Sequence, residues 1–266
     1  MKKIRRLLNM EKIFIAQDLK RIMEYKNDFL IGIVSVIIVQ ATNLMFLNII
    51  FSNIPTLGGW SFQQILFIYG FSLIPKGIDH LFFDNLWALG YFIIRKGEFD
   101  KYLTRPLSPL FQILVEKFQL DALGELFIGL VFIVASKNFV KVEWNFFNLC
   151  IIVLSVIFST LIYTSIKIAT SALAFWIKRS GNITFMFYML NDFAKYPTTI
   201  YNGVIRAVIT YIVPFAFTAY YPASYFLTGE NIIFNIGGLF LISSIFLASS
   251  IFIWQKGLIV YESAGS

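Results

Sequence analysis

The sequence predicts an all-α polytopic membrane protein with six transmembrane helices, and three observations lead to this fold class. Hydrophobic residues make up 58% of the chain and charged residues only 14%, which would leave a soluble domain with too much exposed apolar surface. Apolar runs long enough to cross a hydrocarbon core of about 30 Å recur along the sequence. Lys and Arg are concentrated in alternate loops. No linker divides the chain, so residues 1–266 form one predicted membrane domain.

Residues 1–28 are predicted to form an amphipathic helix that lies along the cytoplasmic membrane surface. Ile15, Leu19 and Ile22 recur at helical spacing, while basic side chains occupy the other faces. This pattern is typical of helices that contact anionic headgroups. A cytosolic helix packed on a partner protein is the alternative.

Six apolar segments follow as predicted spans. The first has only uncharged polar interruptions and precedes an uncharged loop that ends at Trp60, a residue type that anchors helices at membrane interfaces. The second contains Lys76, Asp79 and His80 in its later half, where it is predicted to face protein or to leave the hydrocarbon early. The spans are predicted at residues 29–51, 62–83, 111–135 and 146–176, in a segment that begins at Ile183, and at residues 232–254.

Residues 196–230, between the fifth and sixth spans, are predicted to form a re-entrant helical hairpin on the outer face. Three prolines break this apolar stretch, and each half is too short to cross the bilayer at 1.5 Å per residue. Irregular backbone at membrane depth requires cover by protein. Arg206, in the middle of the stretch, must reach the interface or find a polar partner. A seventh span is the competing interpretation.

The distribution of Lys and Arg predicts that both termini are cytoplasmic. With the N-terminus inside, the cytoplasmic segments hold 18 of the 22 Lys and Arg residues. A seventh span would move the C-terminal tail to the outside, against this asymmetry.

The chain carries no sequence pattern of a catalytic or metal site. It has no G-x-x-x-x-G-K-[ST] phosphate loop, since neither Gly97 nor Gly257 lies in that context. His80 is the only histidine and is more typical of an interfacial polar residue than of a catalyst. Cys150, the only cysteine, lies in an apolar run as a packing residue. We therefore expect no catalytic or metal-binding residue, no cofactor bound by this chain and no nucleic-acid partner.

The segment of residues 95–110 is the most informative cytoplasmic loop. Gly97 is placed to end the preceding helix, and Phe99, Tyr102 and Leu103 follow at helical spacing. Charged residues and two prolines complete the segment before the third span. The pattern indicates a short rigid helix suited to docking in a groove of another protein. An ordinary loop with positive-inside charges is the alternative.

Three ordered stretches resemble a known family. They are RKGEFDKYLTRPLSPL within residues 95–110, the Tyr-Pro, Arg and spaced-proline pattern of residues 193–223, and the ending GLIVYESAGS at residues 257–266. Together they are similar to ABC transporter permeases of the type-2 exporter superfamily, in the six-span family that includes daunorubicin-type drug export permeases. The ending departs from that family at Ile259 and Val260, where a basic pair often stands.

The resemblance implies a permease that pairs with an identical or related permease and with two ATPase subunits, which would bind ATP and Mg²⁺. It places a coupling helix in the 95–110 loop and an outer gate in the re-entrant element. The implied coupling residues are Gly97, Phe99, Asp100, Tyr102, Leu103, Arg105, Pro106 and Pro109. The implied outer-gate residues are Tyr196, Pro197, Tyr201, Arg206, Pro214 and Pro222.

Polar residues within the spans are the candidates for a translocation path. They are Gln40, Asn43 and Asn48 on the first span and Thr160 and Thr164 on the fourth. Each could instead be a polar contact between helices, and the Ser155/Ser159 pair has the spacing of helix packing.

These observations predict the permease subunit of an ATP-driven exporter in the bacterial cytoplasmic membrane, moving a hydrophobic or amphipathic compound such as a drug, toxin or lipid-linked molecule. An ion-gradient-driven secondary transporter or channel is the alternative, and would use carboxylates in or near the spans. Those available are Asp79, Asp84, Asp121, Glu125 and Asp192. An intramembrane enzyme ranks last because no paired His and carboxylate constellation is present.

Overall fold

A computed structural model describes residues 26–143 and 145–263. Within these residues the regular structure is helical, apart from one isolated bridge between Leu57 and Trp60. The predicted interfacial helix of residues 1–28 lies outside the described residues except for residues 26–28. The all-α fold class is confirmed.

Twelve α-helices follow one another in the described residues. They are α1 (Lys26–Asn53), α2 (Phe62–Phe83), α3 (Leu86–Ala88), α4 (Asp100–Leu103), α5 (Pro109–Val115), α6 (Leu123–Ala135), α7 (Phe146–Ala172), α8 (Ala174–Ile177), α9 (Gly181–Met189), α10 (Gly203–Ala207), α11 (Tyr220–Thr228) and α12 (Gly238–Val260). π-Helical segments lie at Leu89–Ile93, Val208–Ile212 and Ile233–Gly237. 3₁₀ segments lie at Leu120–Ala122, Lys137–Phe139, Leu190–Lys195, Thr198–Ile200 and Phe215–Thr218.

The helix starts follow from local capping chemistry. Ser61 and Gln64 form a reciprocal capping box at the start of α2. Asn145 caps α7 by accepting a hydrogen bond from the Asn148 N–H at 2.9 Å. Ser108 caps α5, and the next residue is a proline, whose missing N–H has no cost in the first turn.

Four helices of the described chain are long and apolar enough to cross a membrane, and five if one bent pair forms a single span. The four are Phe29–Asn53, Phe62–Phe83, Phe146–Ile177 and Ile233–Val260. They match the predicted first, second, fourth and sixth spans. The chain is therefore a multi-pass membrane protein, while the count of six spans stays a prediction.

The other two predicted spans differ from the continuous helices that we expected. The third is broken between α5 and α6, whose axes differ by 61°. At this break the Gln119 N–H donates to Leu81 O of α2 at 3.1 Å instead of continuing a helical ladder. The fifth consists of the nine-residue α9 and a six-residue 3₁₀ segment, whereas a straight helical span needs about 20 residues.

Helix α7 forms the centre of the helix packing. It lies along α12 and against α2, and α2 in turn packs against α6. The α2–α6 contact is close because Gly70 and Gly129 face each other: a Cβ added to Gly129 would lie 3.0 Å from Gly70 O. Helix α1 is mostly exposed, with 11% of its apolar window buried, as expected for a span that faces lipid or another subunit.

The predicted re-entrant segment contains short helices. Residues Gly203–Ile212 are helical, and Pro214 separates them from the 3₁₀ segment Phe215–Thr218 and from α11. Phe215, Phe217 and nearly all of α11 are buried in the main core. Protein thus covers the irregular backbone, as expected at membrane depth. Whether the segment enters the bilayer from the outer face stays a prediction.

Candidate functional site

The 95–110 loop begins with a glycine turn that ends the preceding helical segment. The Glu98 N–H donates to Ile93 O at 3.0 Å and the Gly97 N–H to Ile94 O at 3.1 Å. This is the Schellman pairing at a helix C-terminus, which places the Gly97 position in the left-handed region. Gly97 has a φ of 71°, so it adopts the conformation predicted for it.

The loop is anchored by an aromatic cluster made with the ends of two spans. Phe99 is fully buried, and its ring centroid lies 5.1 Å from that of Phe175 on α8 and 4.8 Å from that of Tyr261. Trp254 of α12 completes the cluster at 6.2 Å. Burying a phenylalanine side chain contributes about 1.5–3 kcal/mol. The start of α4 is therefore fixed to both of these spans.

The C-terminal segment holds the next residue of the loop. Tyr261 Oη donates to Asp100 Oδ1 at 2.9 Å, and Ser263 Oγ to Asp100 Oδ2 at 2.5 Å. Burial and the Asp100 carboxylate raise the pKa of the Tyr261 phenol to about 12, so it remains a donor at neutral pH. Asp100 thus contacts this chain's own C-terminal segment.

A second anchor lies at the end of α5, where Glu116 accepts hydrogen bonds from three side chains. Lys101 Nζ lies at 3.0 Å and Asn85 Nδ2 at 3.1 Å from its carboxylate, and Tyr102 Oη also donates to it. Burial and this carboxylate raise the pKa of the Tyr102 phenol above its usual value. Gln112 Nε2 donates to Tyr102 O at 2.9 Å. Both ends of α4 are therefore held by charge-assisted or buried contacts.

The tip of the loop remains open to a partner. The Leu103 side chain is 50% exposed, and Arg105 and Pro106 are exposed beside it. Pro109 begins α5 as its first residue. An exposed leucine next to an arginine, on a helix whose other side is fixed, can dock into a groove of another protein.

The predicted docking surface is therefore smaller than the sequence indicated. Phe99 and Tyr102 have no exposed surface in the described chain, because they fill the aromatic cluster and contact Glu116. They hold the loop in place and are not available to a partner in this conformation.

A buried ion cluster lies at the same end of the spans. Lys167 Nζ of α7 is 2.7 Å from Asp79 Oδ2 and 2.8 Å from Asp84 Oδ1, and the Lys167 and Asp79 side chains have no exposed surface. Thr164 Oγ1 donates to Asp79 Oδ1 at 2.9 Å. Asp79, on α2, thus makes two contacts with α7.

A second group of charges adjoins this cluster. Lys76 Nζ lies 3.1 Å from Glu125 Oε1 of α6. His80 lies 3.8–3.9 Å from carboxylate oxygens of Glu125, Asp84 and Asp121. The structure thus brings together four of the five carboxylates noted in the sequence, whereas the fifth, Asp192, pairs with Lys195 at 3.3 Å elsewhere.

The five predicted path residues do not form one group. On α1, Gln40 accepts from Tyr69 Oη, Asn43 accepts from Lys195 Nζ at 3.2 Å, and Asn48 is exposed. On α7, Thr160 Oγ1 donates to Pro75 O of α2 at 3.3 Å, and Thr164 Oγ1 donates to Asp79 Oδ1 at 2.9 Å. Four of the five thus make contacts of the kind expected from polar groups that pack helices together. Their assignment to a path stays a prediction.

The predicted gate residues fall into a set at the protein surface or lining a cavity and a set of buried prolines. Tyr196 and Tyr201 line a cavity of about 370 Å³ against Phe46 and Ile50 of α1. Arg206 is exposed on α10. Three prolines are buried: Pro197, Pro214 and Pro222. The gating role of this segment stays a prediction.

Sequence reasoning missed three of the residues that organise this site. Glu116 lies outside the 95–110 loop, Tyr261 was noted only as part of the ending at residues 257–266, and Lys167 was counted only as a charge that sets orientation. A lysine in the apolar run of residues 146–176 was the available signal, because a charge within a span needs a partner.

Most of the chain matches a known protein family. A family model described as ABC-2 family transporter protein matches residues 37–265. No curated protein and no solved structure matches the chain. Among the residues that the structure describes, no group of three or more His, Cys, Asp or Glu side chains could hold a metal ion.

Proposed function

Because the chain belongs to the ABC-2 family transporter proteins, we propose that it is the permease subunit of an ATP-driven exporter and that a separate ATPase subunit grips its 95–110 loop. The observation that carries the proposal is that one side of this loop is buried against the spans while its tip is exposed. Phe99 and Tyr102 are buried anchors, while Leu103 and Arg105 are exposed at the tip. A helix that is fixed to the spans on one side and exposed on the other can transmit a movement of a bound ATPase subunit to the spans.

The exported compound is hydrophobic or amphipathic in this proposal. Apolar surfaces line the cavity beside Tyr196 and Tyr201, and the first span, Phe29–Asn53, carries uncharged polar side chains and no charged ones. A second permease, identical or related, pairs with this chain to complete the translocation unit. The protein resides in the bacterial cytoplasmic membrane with both termini inside, in keeping with the Lys and Arg distribution. ATP and Mg²⁺ are bound by the partner ATPase.

Co-purification with variants at the loop tip tests the proposal. The tagged chain is purified from native membranes, and the amount and ATP hydrolysis rate of the bound ATPase subunit are measured. Leu103→Asp is expected to lower the recovered ATPase at least about tenfold, equivalent to about 1.4 kcal/mol of binding. Lys137→Glu, on an exposed residue outside the loop, is the matched control and should leave recovery unchanged. Equal recovery with both variants, or no ATPase with the unchanged chain, contradicts the proposal.

A secondary transporter driven by an ion gradient is a second candidate, favoured by the buried carboxylates. Asp79 has no exposed surface, and Glu125 has little. Each is paired with a lysine, Lys167 or Lys76, which suits a structural role at least as well as proton binding. Ion-driven transport would operate with the purified chain alone in vesicles under a proton gradient, whereas the ATPase-coupled exporter would be inactive there.

A further inference from the structure

We propose that Lys167 is a positioning residue that transmits a movement of the 95–110 loop to α2 and α7. The inference rests on the proposed function, because it presupposes that a bound ATPase moves the loop. It concerns the ion cluster at the loop end of the spans.

The first step is the burial of the cluster. Lys167 and Asp79 have no exposed side-chain surface. Burying two charges costs several kcal/mol per ion, and apolar side chains of similar volume would often be equally stable at such a site. Stability alone therefore does not explain the charges. What they provide is a directional link, since the contacts require a fixed position of α7 relative to α2.

The second step is the number of points at which this link is fixed. Lys167 contacts Asp79 within α2 and Asp84 at the C-terminal cap of α2, at 2.7 and 2.8 Å. Thr164, one turn earlier on α7, donates to the other oxygen of Asp79 at 2.9 Å. The Lys167 ammonium also lies 5.2 Å from the ring centroid of Tyr188 on α9. A sliding movement of α7 along α2 would strain the three contacts with Asp79 and Asp84 at once.

The third step is continuity with the loop. Asn85 directly follows Asp84, and its side chain donates to Glu116 at 3.1 Å and to Ile113 O at 2.9 Å. Glu116 in turn accepts from Lys101 and Tyr102 of α4. Polar contacts, together with the peptide bond between Asp84 and Asn85, thus run from the loop to the ion cluster between α2 and α7. Spatial continuity alone does not demonstrate coupling, so the test must perturb the middle and measure both ends.

Two pairs of spin labels provide the test, with the full chain in lipid nanodiscs together with the ATPase subunit that co-purifies with it. The native cysteine is removed by Cys150→Ser. The loop-end pair joins positions 98 and 179 and so leaves the Leu103 tip unmodified, and the far-end pair joins positions 63 and 146. All four positions are exposed. Label-to-label distances are measured by pulsed electron paramagnetic resonance without nucleotide and with ATP and vanadate.

The variants separate coupling from folding. The double substitution Asp79→Asn/Lys167→Met removes the two fully buried charges together, so that neither is left alone. Asp84 loses its lysine partner, but it is 19% exposed and keeps His80 at 3.9 Å. Lys167→Arg keeps the charge. Asp192→Asn/Lys195→Met removes a pair in which Asp192 is 73% exposed and serves as the matched control. Recovery of folded protein and of bound ATPase is measured for each.

The unchanged chain, Lys167→Arg and the control double variant are expected to show nucleotide-dependent shifts at both pairs. The Asp79→Asn/Lys167→Met variant should keep the loop-end shift and lose the far-end shift. A far-end shift that persists in this variant overturns the role of Lys167 and leaves the proposed function intact. Absence of any shift in the unchanged chain with ATPase bound overturns the proposed function and this inference with it.

Discussion

Tyr261 and Asp100 are joined by a 2.9 Å hydrogen bond, although 161 positions separate them in the sequence. The contact closes the C-terminal segment over the 95–110 loop, above the fully buried Phe99. It makes the end of the chain a part of the loop's support, and several expectations follow from it and from its neighbours.

Removing the Tyr261 hydroxyl should loosen the loop without unfolding the spans. Tyr261→Phe keeps the ring contact with Phe99 and removes the donor to Asp100. We expect a loss of about 0.5–1.5 kcal/mol, the usual contribution of one hydrogen bond, measured by denaturation in detergent. Proteolysis within the loop should also become faster. Tyr211→Phe, at a position that is 64% exposed, is the control, and equal effects of the two substitutions would contradict this role.

The same contact should be insensitive to pH across the physiological range. Folding raises the pKa of the Tyr261 phenol from 10.0 to about 12, so the stabilisation is complete below the unfolded value and is lost as the pH rises through the folded value. The stability difference between the unchanged chain and Tyr261→Phe should therefore stay constant up to about pH 9 and shrink above about pH 10. A difference that changes between about pH 6 and pH 9 would contradict this account.

Glu116 should be the most sensitive carboxylate around the loop. Glu116→Gln preserves shape but removes the charge that accepts from Lys101, Tyr102 and Asn85, and should cost about 1.5–3 kcal/mol, as expected for hydrogen bonds to a charged group. Glu98→Gln is the control, because Glu98 is exposed and its Lys96 partner is 4.0 Å away, and it should change stability by less than about 0.5 kcal/mol. Similar losses of stability in both variants would show that the three hydrogen bonds to Glu116 do not stabilise the loop.

The α2–α6 contact is too close to accommodate one added methyl group without a loss of stability. Gly129→Ala would place a Cβ 3.0 Å from Gly70 O and 2.9 Å from Ile74 Cδ1, and such overpacking costs about 1–3 kcal/mol. In Gly203→Ala the new Cβ meets nothing within 4 Å, so this variant should retain full stability. A neutral Gly129→Ala would mean that the two helices separate easily.

The sequence predicted the fold class and the positions of four spans because long apolar runs leave few alternatives in a bilayer, although the last helix continues to Val260, beyond its predicted end at residue 254. It did not predict the bend at residues 116–119, since no proline or glycine marks it and the cause is a bond from Gln119 to Leu81 of a distant helix. The position of the 95–110 loop was predicted from Gly97 and the prolines. The direction of Phe99 was not, because local spacing cannot show that Phe175, Trp254 and Tyr261 form a pocket for it.

The ion cluster could not be predicted from the sequence, because its pairs also depend on contacts between distant helices. Asp79 and Lys167 were both visible as charges in or near spans, but 88 positions separate them, and pairing depends on how α2 and α7 pack. Thr164 was noted as a candidate residue of a path, and the sequence did not show that it is a second donor to Asp79.

Photo-crosslinking from position 103 tests the central claim most directly. A benzophenone side chain replaces Leu103 at the loop tip and, in a control, Val204 on α10, which is 74% exposed. After illumination of native membranes, we predict an adduct between the chain and an ATP-binding subunit from position 103 and none from position 204. An intact complex that yields no such adduct from position 103, or yields it equally from position 204, would contradict the claim that the motor grips this loop.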